Sequence, residues 1–128
     1  MRIKPLIFII DDDPVIHKLV EAELKSDKLD VMSFSYGEDS LVELFREPDL
    51  IILDYCFVNR SKPVLGGMDI LKEIRKTEPV IPVIILSGQE SGGVVLELIR
   101  MGIEEYVIKE NDWLVRLKEA VNSILHDN

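Results

Sequence analysis

Apolar positions along this chain fall into two alternating kinds of run. Leu6-Ile7-Phe8-Ile9-Ile10, Leu50-Ile51-Ile52-Leu53 and Val83-Ile84-Ile85-Leu86 are continuous and free of charge. Such runs predict strands covered on both faces, as in a parallel sheet. Val31 to Phe34 is a weaker strand that belongs nearer an edge, and Tyr106-Val107-Ile108 is the last strand. Between the strands, apolar residues recur at helical spacing. The first helix carries Val15, Ile16, Leu19, Val20 and Leu24, and Asp13 followed by Pro14 marks its start. A short amphipathic helix is expected over Glu38 to Glu47, with Leu41, Val42, Leu44 and Phe45, ended by Pro48. Met68, Leu71 and Ile74 begin a third helix. Val94 to Met101 forms a fourth, with Gly102 suited to its left-handed cap. Trp113, Leu114, Leu117, Val121 and Ile124 mark the last.

Five strand–helix units in strict alternation predict a doubly wound α/β fold: a five-stranded parallel sheet with five helices on its two faces. There is no repeat, low-complexity tract or linker, and the last helix runs almost to Asn128. Residues 1–128 are therefore expected to form a single domain with no output domain. Residues 57–66 have the turn chemistry of a loop: Asn59, Ser61, Pro63 and Gly66.

Composition narrows the function classes. The chain has 128 residues, of which 15 are Lys or Arg and 24 Asp or Glu, a net charge of −9. A field of that sign disfavours direct nucleic-acid binding and docking on an anionic membrane. Cys56 is the only cysteine, so no intramolecular disulfide can form. No apolar run approaches the ~20 residues of a membrane span. A cytoplasmic protein is expected.

Candidate chemistry collects at the strand ends. The first strand ends in Asp11-Asp12-Asp13, the third in Asp54, the fourth in Ser87 and the fifth in Lys109. In open α/β sheets, ligands bind just beyond these carboxyl ends. Asp13 suits a helix cap. Asp11 and Asp12 sit at the mouth of a buried strand, where a hard divalent cation would relieve their repulsion. Asp54 reads as a cap, a metal ligand or a nucleophile, since aspartates form acyl phosphates. Ser87 and Lys109, each ordinary alone, become complementary beside it. A hydroxyl, an ammonium and a metal can hold the oxygens of a phosphoryl group while a carboxylate attacks.

These residues, in the pieces Ile9-Ile10-Asp11-Asp12-Asp13-Pro14, Leu53-Asp54, Leu86-Ser87-Gly88 and Tyr106-Val107-Ile108-Lys109, resemble a response-regulator receiver domain of two-component signalling. The likeness covers essentially the whole chain and is of the stand-alone chemotaxis-regulator size. It implies a flavodoxin-like sheet of order 2-1-3-4-5. It further implies that Asp54 is the phosphoacceptor. Asp11, Asp12, Asp54 and the backbone carbonyl of Cys56 would hold Mg²⁺. Ser87 is then the switch hydroxyl, Lys109 its charged partner at the phosphoryl group, and Tyr106 the aromatic rotamer switch. The implied partners are a sensor histidine kinase or histidine phosphotransfer protein, and a separate downstream effector. A homodimer through the 94–125 face stays open. So defined, the chain is a signalling protein that catalyses its own phosphorylation and dephosphorylation, not a turnover enzyme.

Two departures stand out. The glycine usual after the phosphoacceptor matches Gly67, so the intervening loop carries an insertion within Phe57–Gly66. Glu110 stands where the family has proline after the lysine, leaving that bond either trans or cis under strain. Cys56 and Gln89 match the positions that tune water access. His17 reads as a surface histidine and Trp113 as packing for the last helix. Two other readings compete. One is a degenerate receiver that binds partners without phosphorylation. The other is a haloacid-dehalogenase-type phosphatase, since Asp11-x-Asp13 matches its first motif.

Overall fold

The computed structural model describes residues 4–25, 28–55, 66–88 and 92–126. The three apolar runs form strands at the expected places: β1 (Leu6–Ile10), β3 (Leu50–Asp54) and β4 (Val83–Ser87), every residue of each buried. β2 (Asp30–Phe34) and β5 (Glu105–Ile108) are more open. All pairings are parallel and the order is β2-β1-β3-β4-β5, which places β2 and β5 at the edges.

Side chains of a strand alternate between faces, so the continuous apolar runs feed two cores at once. Phe8, Ile10, Ile51, Leu53, Val83 and Ile85 point to one side. There they meet Ile70, Leu71 and Ile74 of α3 (Gly67–Thr77) and Leu98 of α4 (Gly92–Arg100). Ile7, Ile9, Leu50, Ile52, Ile84 and Leu86 point to the other. They are covered by Val20 and Leu24 of α1 (Pro14–Leu24) and Leu117 and Val121 of α5 (Trp113–His126). Trp113 packs against this second core, as expected. Each such side chain, fully buried, contributes ~1.5–3 kcal/mol of hydrophobic stabilisation.

One expectation changes. The helix over Glu38–Glu47 is broken: α2 spans Gly37–Leu41 and a separate 3₁₀ turn spans Leu44–Arg46. Leu44 is buried, but Val42 and Phe45 are 73% and 74% exposed. On one continuous α-helix Leu41, Val42, Leu44 and Phe45 would share a face. The chain tightens instead, with Glu43 N–H donating to Ser40 O at 3.1 Å and Glu47 N–H to Leu44 O at 2.9 Å. Pro48 disfavours the right-handed helical conformation at Glu47, which adopts φ 53°. In α1, Val20 and Leu24 are buried while Val15 and Leu19 lie exposed on the flank.

Gly102 has φ 78°, as a left-handed helix cap requires. Arg75 ties this cap to α3. Its Nε donates to Met101 O (2.9 Å), its Nη2 to Gly102 O (2.9 Å), and its Nη1 to Ile81 O (2.7 Å) and Glu78 O (3.3 Å). Burial lowers its pKa, and the Glu104 carboxylate opposes that. One planar fork thus satisfies carbonyls from three segments, which an ammonium cannot do. Arg75→Ala is expected to destabilise the fold by about 2–3 kcal/mol in urea unfolding, and Arg75→Lys to recover less than half of that. Full recovery by lysine would show that charge, not the fork, holds these ends.

Candidate functional site

Parallel pairing brings every strand's carboxyl end to one edge of the sheet. β1 and β3 are neighbours there, so Asp11, directly after β1, faces Asp54, the last residue of β3. Ser87 ends β4 and is fully buried, and Lys109 follows β5. Lys109 N–H donates to Ser87 O at 2.7 Å, joining the last two positions through the backbone. Asp11 and Asp54 are 1% and 3% exposed, whereas Asp12 is exposed. Lys109 Nζ lies 3.2 Å from Asp54 Oδ2 and 3.4 Å from Asp11 Oδ2.

Local hydrogen bonds shape the acidic turn. Asp11 N–H donates to Phe34 O at 3.0 Å, and its Oδ1 accepts from Asp13 N–H at 2.9 Å. Asp13 caps α1, its Oδ1 accepting from Val15 N–H at 2.9 Å. That occupation separates Asp13 from its neighbours. One carboxylate oxygen each from Asp11, Asp12 and Asp54 lie within 4.8 Å of one another. Asp13 is outside this group, which counts against its use as the second acid of a phosphatase motif.

The charges do not balance. Three carboxylates face one ammonium. Burial, and then the charge of Asp54, push the Asp11 carboxyl up to about 7. The Asp13 amide and Lys109 only partly oppose this. Burial works against the Lys109 charge, yet the Asp54 and Asp11 carboxylates outweigh it and hold the ammonium above the ordinary lysine range. With all three carboxylates ionised the excess is two negative charges, all on hard oxygen donors, which fits a divalent cation such as Mg²⁺.

No cis peptide occurs among the described residues, so the Lys109–Glu110 bond is trans, and Lys109 still reaches both buried carboxylates. Arg116 of α5 donates from Nη2 to Ile108 O at 2.8 Å, holding the strand end just before the lysine. Gly67 lies directly against the backbone after Asp54. A Cβ there would stand 2.8 Å from Tyr55 Cα and 2.9 Å from Tyr55 O, so only glycine lets α3 start so close. Tyr106 is half-buried in β5 and packs against the core on the α3–α4 side, with its hydroxyl oxygen buried. Cys56, Gln89 and the insertion up to Leu65 lie outside the described residues.

Sequence reasoning missed two residues that shape the turn and loop. One is Arg116. The other is His17, whose Nε2 lies in close hydrogen-bond contact with Asp11 O. Neither position carries a motif, because each partner is a main-chain carbonyl that any residue could present.

A family model described as the response regulator receiver domain matches residues 7–122. The response regulator protein PilR of Pseudomonas aeruginosa is 30% identical over 117 residues, covering 91% of this chain and 25% of its own length. The chain thus spans a quarter of that relative. The two-component response regulator ORR3 of Oryza sativa subsp. indica is 28% identical over 110 residues, covering 83% of this chain and 80% of its own. A response regulator receiver domain structure from Clostridium thermocellum superposes with a TM-score of 0.81 at 28% identity, covering 96% of this chain and 95% of that one.

The raised Asp11 value has a consequence for stability. Unfolded, the carboxyl titrates near 3.8; folded, near 7. The folded state therefore holds a proton that the unfolded state releases between these values. Its contribution is complete below the lower value and is lost as pH rises through the upper one. In metal-free buffer at pH 8, Asp11→Asn is expected to be more stable than the parent by on the order of 1–3 kcal/mol. The gain should shrink towards pH 5 in urea unfolding. A parent as stable as the variant at pH 8 would contradict the repulsion.

Proposed function

Because the chain belongs to the response regulator receiver family of two-component signalling, we propose that Asp54 accepts a phosphoryl group from a partner's phosphohistidine and that this switches a protein-interaction face. The observation that carries this reading is the buried Asp54 carboxylate with Lys109 Nζ at 3.2 Å beside the Asp11–Asp12 turn.

In this reading an Asp54 oxygen attacks phosphorus in line, and the P–N bond to the donor imidazole breaks. Lys109 offsets the charge on the transferred oxygens, an electrostatic role that dominates phosphoryl transfer. Asp11, Asp12 and Asp54, with the Cys56 carbonyl that the resemblance adds, would hold Mg²⁺, which would supply the remaining charge neutralisation. Asp13 stays in its capping role. The buried Ser87 follows the new dianion as a hydrogen-bond donor, and the half-buried Tyr106 ring moves into the vacated space. Those shifts alter α4, β5 and α5.

The 94–125 face would be the readout surface. Leu96 and Ile99 of α4 and Val115 of α5 are exposed there. A sensor histidine kinase or histidine phosphotransfer protein would be the donor, and a separate effector protein the recipient. The same face would also serve a homodimer. A partner must bind one conformer better than the other for the switch to carry a signal. The cytoplasm is the proposed location; no helix among the described residues is long and apolar enough to cross a membrane. The role is signalling, with self-phosphorylation and self-dephosphorylation in place of substrate turnover.

Incubation with acetyl phosphate and Mg²⁺ followed by intact mass tests the proposal. One added phosphoryl group is expected, absent in Asp54→Asn, and formed roughly 10-fold or more slowly in Lys109→Ala. A group that survives in Asp54→Asn and maps to Asp11 would favour the phosphatase-type chemistry. No gain even with a histidine kinase would favour a phosphorylation-independent binding module.

A further inference from the structure

His17 sits one turn into α1, where its main-chain N–H donates to Asp13 O at 3.3 Å. Its half-buried ring turns back past the helix start, and Nε2 meets the carbonyl oxygen of Asp11. A carbonyl only accepts, so Nε2 carries the hydrogen. The bond is not a helix cap: Asp13 already caps α1, and the Asp11 carbonyl lies outside the helix. Helix formation does not need it.

That carbonyl belongs to the peptide joining Asp11 to Asp12. The peptide is planar, so holding its oxygen also holds the Asp12 nitrogen. The Asp11 N–H is fixed by Phe34 O and its carboxylate by Asp13 N–H. The His17 ring grips the remaining polar group of the residue. Asp12 itself is exposed, so the backbone that carries it governs where its carboxylate can point.

We propose that His17 is a positioning residue for the acidic site: its ring fixes the Asp11–Asp12 peptide and thereby the spacing of two of the three clustered carboxylates. The inference rests on the reading of Asp11, Asp12 and Asp54 as a divalent-cation site. Residues that orient metal ligands commonly change affinity 10- to 100-fold when lost. His17 acts one bond further back, through the main chain, so the low end of that range applies. Glutamine can present an amide N–H at nearly the same reach and serves as the conservative replacement.

Isothermal titration of the full chain with MgCl₂ at constant pH gives the first readout. His17→Ala is expected to bind Mg²⁺ roughly 10-fold more weakly, and His17→Gln within about twofold of the parent. The urea midpoint should stay near the parent's in both. The second readout needs no metal. Long-range ¹H–¹⁵N correlation of the labelled parent should show His17 protonated at Nε2. An affinity unchanged in His17→Ala, a glutamine variant as weak as the alanine one, or a ring protonated only at Nδ1 would overturn the positioning role while leaving the cation site standing. A parent that binds no Mg²⁺ would overturn the cation reading and the role of His17 with it.

Discussion

Two carboxylates, Asp11 and Asp54, end adjacent parts of one sheet with almost no access to water, and a single ammonium stands between them. Like charges in such a place repel strongly, and burial adds to the cost of ionising both. Lys109 meets part of that cost, and the exposed Asp12 adds a third charge to the group. The site is therefore held in a state that favours binding of further positive charge. In the proposed function a divalent cation would neutralise the excess, and a transferred phosphoryl group would change the balance again and so be felt by neighbouring elements.

The fold exists in the form needed to keep that tension in register. Ile7 through Ile10 pair with Leu50 through Leu53, so the ends of β1 and β3 cannot slide apart without exposing both cores. Asp54 pairs in register with Leu86, which brings Ser87 level with the site. The loops are held less by regular structure than by side chains that reach back to carbonyls. Arg75 gathers the ends of α3 and α4, Arg116 takes Ile108 O, and His17 takes Asp11 O. Arg116 helps explain how a trans Lys109–Glu110 bond coexists with a lysine that still reaches both buried acids.

Much of this was legible in the residue pattern, for a physical reason. A strand buried on both faces must be apolar at every position, and β1, β3 and β4 are. A polar residue directly after such a run must lie at the sheet edge, which located Asp11, Asp54, Ser87 and Lys109. Leu41, Val42, Leu44 and Phe45 match the spacing of one α-helix, so the pattern predicts continuity; the i→i+3 bonds and the left-handed Glu47 before Pro48 break it instead. Val15 and Leu19 share the helical spacing of Val20 and Leu24, but the rotation of α1 on the sheet leaves them exposed.

By itself the sequence determined the alternation of strands and helices, the two-sided burial of the sheet and the identity of the charged groups at its mouth. These depend on local periodicity and on which residues tolerate burial. Only the tertiary structure decided that Asp11, Asp12 and Asp54 converge while Asp13 turns away to cap α1. It alone decided that Lys109 spans two acids through a trans bond, and that His17 and Arg116 grip main-chain oxygens. Those outcomes depend on distances between segments far apart in the chain and on carbonyl acceptors that every residue possesses, so no residue type announces them.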